Sequence, residues 1–213
     1  GTHTGAVIAM SAALRHPERV AALVLDGYPV FGAQEQEELL ASYLAPIRPD
    51  WEGAWLAWLW GRVKDQFTFF PWNRRGDGAR LPRPLPSPDL MQSVVTDFLA
   101  AGDGYRAAYA SAFRFEAARS IEAATVPILF ATRSDDLLFG HLDRLPALPP
   151  NARVQRLGPD RDAWAEAIAA FAGEHRGDSA APEPAFAVPE PGPAPARRVV
   201  HGPAGTVGVR ITG

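Results

Sequence analysis

The sequence predicts an α/β fold in which a parallel sheet carries helices on both faces and is interrupted by a helical cap insertion. Two short, nearly continuous apolar runs, at 20–25 and 127–131, are typical of parallel strands buried on both faces. Between them, residues 34–120 contain no strand-like run and follow helical spacing. Strands and helices that alternate around such a block indicate an open parallel sheet with a cap.

Residues 1–33 predict the first part of the α/β core. Small and apolar residues fill 4–16 and indicate a helix, which ends at Pro17 because proline cannot donate the next helical hydrogen bond. The apolar run at 20–25 then predicts a strand.

The block at 34–120 predicts a cap made of helices. Trp51, Trp55, Trp58 and Arg62 stand at helical spacing, which places the three indoles on one stripe of a helix. Packing is the favoured role for this stripe.

Two further cap helices are predicted at 90–101 and 105–119, since an Ala-Gly-Asp-Gly break at 101–104 separates them. The segment 76–88 is rich in Gly, Arg and Pro, which indicates an exposed loop.

Residues 121–176 predict the rest of the core. A strand at 127–131 is followed by a more exposed strand at 152–157 and a closing amphipathic helix at 162–171. Right-handed crossovers bring the carboxyl ends of such strands to one edge of the sheet, where sites are built.

The composition changes at the end of the chain. Prolines alternate with Ala, Glu and Gly at 177–196, which predicts an extended linker. Residues 197–213 predict a hairpin of two strands around a turn at 202–205. Because an isolated hairpin is only marginally stable, we expect it to need a partner. The extended linker before it favours the start of a second domain of a tandem protein, and the alternative is a tail hairpin that adds to the sheet starting at Gly1.

The overall composition narrows the class of protein. The 213 residues contain no cysteine, which excludes disulfides and thiol nucleophiles, and the net charge of −3 is unlike that of a nucleic-acid binder. No apolar run is long enough to span a bilayer. We therefore expect a cytoplasmic protein that binds a small molecule and neither nucleic acid nor membrane. The chain opens at Gly1 inside a motif, so we expect its true N-terminus to lie upstream.

The first residues carry the strongest motif. Gly1-Thr2-His3-Thr4-Gly5 has the spacing of a nucleophile elbow, in which glycines permit a strained strand-to-helix turn. The central side chain, here that of His3, then stands exposed at the start of a helix.

An ordered set of segments resembles the α/β-hydrolase superfamily from Gly1 to about Phe171. It comprises the elbow, the helical cap and the segments 16–20, 25–27, 126–129 and 135–139. The resemblance implies a partial α/β-hydrolase fold that begins at the nucleophile elbow.

The resemblance also implies a site, from which the sequence departs. His3 stands where the family usually has Ser, Asp or Cys, and Asp136 matches the acid, with Asp135 as the second choice. The alternative is that both aspartates only cap a turn. The backbone N–H of Thr4 is the candidate oxyanion donor. The loop 158–164, where the family has its catalytic histidine, contains none.

Other histidines and acids follow no catalytic or metal-binding spacing. His141 and His175 lie away from the family's histidine position, and a metal site from Asp135, Asp136, His141 and Asp143 would have irregular spacing. We predict neither a metal nor a cofactor.

The cap is unusually aromatic, which indicates an apolar pocket that faces the elbow. The alternative for each ring is packing between cap and core. The residues predicted to bind substrate are Trp58, Phe67, Phe70 and Trp72.

Two functions remain open from the sequence. The first is a hydrolase of a small, apolar, ester-like substrate that uses His3 and Asp136 in an altered constellation; this chain by itself is expected to be inactive. The second is a catalytically degenerate binding protein, which the missing loop histidine favours.

Overall fold

The computed structural model describes residues 1–177, 196–202 and 205–211. Contacts divide the chain into two compact units, Gly1–Arg176 and Gly177–Gly213. Apart from its two end residues, the predicted linker at 177–196 lies outside the described part.

The first unit contains a parallel sheet of three strands. They are β1 (Leu23–Leu25), β2 (Ile128–Arg133) and β3 (Ala152–Leu157), in the order β1-β2-β3. Leu23 pairs with Ile128, and Ile128 pairs with Ala152.

The first strand is shorter than the predicted run at 20–25. The amide of Val20 donates to the carbonyl of Pro17 at 3.2 Å, within a 3-10 turn at Pro17–Arg19. The start of the apolar run therefore belongs to this turn.

Helices cover both faces of the sheet, as predicted. The described residues of this unit form seven α-helices: α1 (Thr4–Arg15), α2 (Ala33–Ser42), α3 (Ala54–Thr68), α4 (Pro88–Ala101), α5 (Tyr105–Phe113), α6 (Ala117–Ala123) and α7 (Arg161–Glu174). On β2, Phe130 packs into a cluster with Met10 of α1 and Ile121 of α6. Its neighbour Leu129 points to the other face and packs against Phe171 of α7. Because side chains alternate across a strand, covering both faces requires the continuous apolar run.

Two predicted cap helices differ in their bounds. The helix predicted at 105–119 is split into α5 and α6, because Phe115 packs into the core edge-to-face with Tyr28, at 6.4 Å between ring centres. At the other helix, Trp51 precedes α3 and is fully exposed.

The start of α3 explains why Trp51 is excluded. The Asp50 carboxylate accepts the amides of Ala54 and Trp55, each at 2.9 Å, and Gly53 is in the left-handed region with φ +72°. These contacts fix the first turn after Trp51. The predicted stripe of three indoles is therefore wrong.

The helical block 34–120, which the sequence predicts as a cap and which is called the cap below, has apolar clusters of its own. Leu59, Val63 and Phe98 belong to one, and Tyr43 and Trp72 belong to another. The first unit thus has a sheet core and separate cap clusters.

The hairpin prediction is confirmed in the second unit. β4 (Ala196–Gly202) and β5 (Gly205–Ile211) are antiparallel, and Ala196 pairs with Ile211. The opening of a second domain at this hairpin stays a prediction. Within the described residues, no helix has both the length and the apolar character required to cross a membrane.

His141 fixes the connection between β1 and the cap. It lies in a 3-10 helix at Phe139–Arg144, is 5% exposed, and its Nδ1 accepts the amide of Val30 at 2.9 Å. Burial, with the nearby charge of Arg144, lowers the pKa of His141 to about 4. His141 is therefore a neutral structural residue at pH 7.

This burial predicts a pH-dependent stability. Since the pKa of His141 falls from 6.5 to about 4 on folding, the unfolded chain binds the proton more tightly in that window. The free energy of unfolding should therefore fall by up to about 3 kcal/mol as the pH drops through it. In His141→Gln, the glutamine oxygen can still accept the Val30 amide but cannot titrate. Urea unfolding of this variant should therefore show no loss of the free energy of unfolding that is due to residue 141 between pH 6.5 and about 4.

The matched control is His16→Gln, because the side chain of His16 is exposed. It should retain the native pH dependence. If His141→Gln retains it as well, the assignment to His141 is wrong.

Candidate active site

The turn at the start of α1 has the geometry of an elbow. His3 has φ 50° and ψ −115°, a strained conformation for a residue with a Cβ, and its amide donates to the carbonyl of Asp26 at 2.9 Å. A Cβ on Gly1 would lie 2.2 Å from the carbonyl oxygen of Gly5. The turn therefore requires glycine at Gly1 and presents His3 at the helix start.

The elbow brings His3 to Asp136, which follows β2. The Nε2 atom of His3 lies 3.0 Å from Oδ1 and 2.9 Å from Oδ2 of Asp136. Asp136 also caps its own turn, because its Oδ1 accepts the amide of Leu138 at 2.8 Å. The two sequence-based interpretations of Asp136, partner of the elbow residue and turn cap, are thus compatible.

The neighbouring aspartate has a different partner. Asp135 binds the guanidinium of Arg133, with 2.8 Å between Nε and Oδ1, and its side chain is 46% exposed. The structure thus favours Asp136 over Asp135 as the partner of His3.

The charge of Asp136 is set by opposing effects. Burial by itself raises the pKa of this carboxyl, but the hydrogen bond and charge of His3, with the Leu138 amide, bring the pKa below its usual value. Asp136 is therefore ionised at neutral pH. A carboxylate can only accept hydrogen bonds, so Nε2 of His3 carries the proton. In the neutral ring, Nδ1 is then the basic nitrogen.

Gly27 forms the backbone beside this pair. It has φ +56°, and its amide donates to Oγ1 of Thr132 at 3.0 Å. A Cβ at this position would lie 2.3 Å from Cδ2 of His3 and 3.1 Å from Oδ1 of Asp136. Only glycine leaves room for the imidazole in its present position.

Asp26 is a buried carboxyl next to the pair that the sequence analysis did not select. Its Oδ1 has no hydrogen-bond partner among the described residues. Burial, followed by the charge of Asp136, raises the pKa of Asp26. Asp26 directly follows β1, at the edge of the sheet that carries the elbow. This position is the feature of the sequence from which Asp26 could have been selected.

A cavity of about 260 Å³ opens above His3 and Thr4. Eight of its fourteen lining residues come from the cap block 34–120, and six of the fourteen are Phe or Tyr. Among the predicted substrate-binding residues, Phe67 and Phe70 line it. The other aromatic lining residues, which the sequence analysis missed, are Phe31, Tyr43, Tyr109 and Phe113.

Trp58 and Trp72 do not belong to this lining, which corrects their prediction as contacts of the pocket. Trp72 is buried in a cap cluster, and its Nε1 donates to the carbonyl of Tyr43 at 2.9 Å. Trp58 lies on a separate depression beside Trp55. Trp72 thus follows the packing alternative for cap aromatics, whereas Trp58 is 40% exposed.

Thr4 lines the cavity next to His3. As the first residue of α1, it has a backbone N–H without a partner inside the helix. This donor is available to an oxygen in the cavity, and its catalytic role stays a prediction.

Within residues 1–177, the other histidines and acids do not complete a triad or a metal site. Asp143 pairs with Arg156 at 2.7 Å, and the ring of His175 packs on Phe171. Across the described part of the chain, no three His, Asp or Glu side chains are grouped to hold a metal ion. His3 is thus the histidine that the fold presents to the cavity.

Known proteins identify the fold. The chain matches no protein-family model and no curated protein. A mutant of potato epoxide hydrolase is 17% identical, with a TM-score of 0.51 over 81% of this chain and 68% of its own. An epoxide hydrolase from Vigna radiata is 21% identical, with a TM-score of 0.47 over 80% of this chain and 64% of its own. A Mycobacterium tuberculosis protein is 16% identical, with a TM-score of 0.47 over 83% of this chain and 65% of its own.

The chain therefore has part of the α/β-hydrolase fold, as the sequence predicted. This assignment rests on the similarity to the potato enzyme. Because the two chains are only 17% identical, the similarity concerns the fold alone. The chain spans about two thirds of the length of these proteins.

Gly27 offers a test of the site geometry. Gly27→Ala should displace the His3 ring and destabilise the fold by about 1–3 kcal/mol through backbone strain and crowding. The displacement should appear as a shift of the His3 imidazole signals in NMR spectra.

Gly53→Ala is the matched control, because Gly53 also has positive φ but an added Cβ would meet nothing within 4 Å. It should destabilise the fold through strain and leave the His3 signals unchanged. Unchanged His3 signals in Gly27→Ala would contradict the close approach.

Proposed function

We propose that the protein carrying this chain hydrolyses a small, largely apolar ester, with His3 as the general base. The observation that carries the proposal is the contact of His3 Nε2 with both carboxylate oxygens of Asp136, at 3.0 and 2.9 Å, beside the cavity. A base held by an ionised carboxylate in one tautomer is the arrangement that general-base catalysis requires.

The proposed reaction begins with a water molecule between the ester carbonyl and His3. Nδ1 of His3 takes a proton while the water oxygen bonds to the carbonyl carbon, and the C=O electron pair moves to the oxygen. The amide of Thr4 donates to that oxygen. The tetrahedral intermediate collapses, the C–O bond to the alcohol breaks, and the imidazolium returns its proton to the leaving oxygen.

Asp136 acts through His3 and is a positioning residue. It holds the proton on Nε2, which keeps Nδ1 basic, and its negative charge stabilises the imidazolium formed during the reaction. Removing the charge should therefore lower kcat and leave the KM for a neutral ester almost unchanged.

The test uses p-nitrophenyl acetate and butyrate, which need little help from an acid to lose their alcohol. Native rates should be low, because the loop directly after β3, at 158–160, contains no histidine to relay a second proton. His3→Ala should lower kcat/KM by about 10²–10⁴. Asp136→Asn should lower kcat by about 10² or more with KM unchanged.

Asp135→Asn is the matched control, since Asp135 is adjacent to Asp136 but binds Arg133. It should retain the native rate. A His3→Ala variant that hydrolyses these esters as fast as the native protein would exclude His3 as the base.

The second candidate is a ligand-binding protein without turnover. The loop after β3, at 158–160, leads into α7 without a histidine, so the site lacks the family's separate proton carrier. On this alternative, the cavity would bind the same small apolar compounds without hydrolysing them. The native protein and the variants His3→Ala, Asp136→Asn and Asp135→Asn would then all show only the uncatalysed rate measured in buffer.

A further inference from the structure

The cap side of the cavity carries an amide with a fixed orientation. Gln66 lines the cavity, and its Oε1 accepts Nη1 of Arg62 at 2.9 Å. A guanidinium has no acceptor atom, so the amide atom that faces it must be the oxygen. The NH₂ group of Gln66 is therefore left as a donor on the cavity wall.

A guanidinium lies beside this amide. Arg83 also lines the cavity, and its Nε and Nη2 donate to the backbone carbonyls of Phe67 at 3.1 Å and Gln66 at 3.4 Å. These bonds tie the exposed loop to the end of α3 and hold the Arg83 head group in place. Its Nη1 has no partner within the described residues.

No carboxylate of the described residues forms an ion pair with Arg83 within 4.0 Å. Asp136 and Asp135 act on it only at longer range. Burial lowers the pKa of Arg83, but a guanidinium remains protonated at neutral pH. The cavity wall thus has a positive charge that lacks a close negative partner.

A second positive charge lies behind Gln66. Arg62 is 1% exposed, and its Nε and Nη2 have no hydrogen-bond partner among the described residues. Its surroundings are aromatic, including Phe98 at 4.4 Å and Trp72 at 5.1 Å from the guanidinium carbon to the ring centres. A buried cation without a carboxylate is stabilised by any anion that approaches the same wall.

We propose that Gln66 and Arg83 form a carboxylate subsite, so that the substrate is a half-ester of a small dicarboxylic acid. This inference rests on the proposed hydrolysis, and it assigns the class of substrate. The substrate carboxylate accepts the amide of Gln66 and the free Nη1 of Arg83. Its apolar spacer lies against the aromatic wall, and its ester group reaches His3.

Charge selects this orientation. At one end of the cavity, the lining residue His3 is bound to the ionised Asp136, whereas on the cap side Arg83 lines the wall and Arg62 binds the lining residue Gln66. A substrate carboxylate is repelled from the first end and attracted to the second. A cavity of about 260 Å³ is slightly smaller than most ligand sites, which limits the spacer to a short one.

The test compares 3-phenylpropanoate with 3-phenylpropanamide by isothermal titration calorimetry of the protein carrying this chain at pH 7. The two probes have nearly the same shape and differ in charge. The carboxylate should bind at least about tenfold more tightly than the amide, as expected for charge-assisted hydrogen bonds. Arg83→Gln should remove this preference and leave the affinity for the amide unchanged.

Arg80→Gln is the matched control, because Arg80 is exposed on the same loop and does not line the cavity. It should retain the preference for the carboxylate. Arg83→Lys keeps the positive charge and should retain part of the preference for the carboxylate. Equal affinities for the two probes in the native protein overturn the subsite, as does an equal loss of both in Arg83→Gln.

The outcome is separable from that of the proposed hydrolysis, because binding is measured at equilibrium without turnover. A preference for the carboxylate in a protein that hydrolyses no ester supports the subsite and rejects the hydrolase. Hydrolysis of simple esters without any preference for the carboxylate supports the hydrolase and rejects the subsite. If both hold, p-nitrophenyl hemisuccinate should be hydrolysed with a lower KM than its methyl ester, and Arg83→Gln should abolish the difference.

Discussion

The site depends on the pairing of β1 with β2, because these strands align residues that are more than 100 positions apart in the chain. Leu25 pairs with Phe130, which brings the amide of Gly27 to Thr132 Oγ1 and places the turn after β2 beside the elbow. The contact of His3 with Asp136 follows from that alignment. It also depends on Gly27, since the imidazole occupies the space that a Cβ would take. The register of β1 and β2, the glycine at Gly27 and the contact of His3 with Asp136 therefore depend on one another.

The cap is a second constraint with a different physical origin. Its helices bury apolar residues in clusters separate from the sheet core, yet Arg62 lies fully buried among their rings. Cation–π contacts with several rings offset part of the cost of removing this charge from water. The same side chain fixes the amide of Gln66 through one hydrogen bond. Packing inside the cap thus determines which polar group faces the cavity.

The sequence predicted what depends on local pattern. The run at 127–131 became β2 because both of its faces are covered, and the spacing around His3 became a strained turn because glycines flank it. From the sequence, only the family resemblance favoured Asp136 over Asp135. The structure gives the physical reason, since Asp136 binds His3 whereas Asp135 binds Arg133. The cavity could not be predicted in full. Tyr43, Tyr109 and Arg83 come from three separate segments, and only tertiary packing brings them together.

The missing loop histidine limits the chemistry that the proposed dyad can perform. Since His3 is the one histidine among the described residues that lines the cavity, the proton taken from water must return from the same nitrogen to the leaving oxygen. Both oxygens must therefore reach Nδ1 within one catalytic cycle, which a small, tightly held ester allows and a long, flexible ester does not. A carboxylate anchored at the cap would restrict the ester in this way, since it fixes the distance from the cap wall to the reacting carbonyl. The positive cap wall and the single histidine are thus consistent with the same short, anionic substrate.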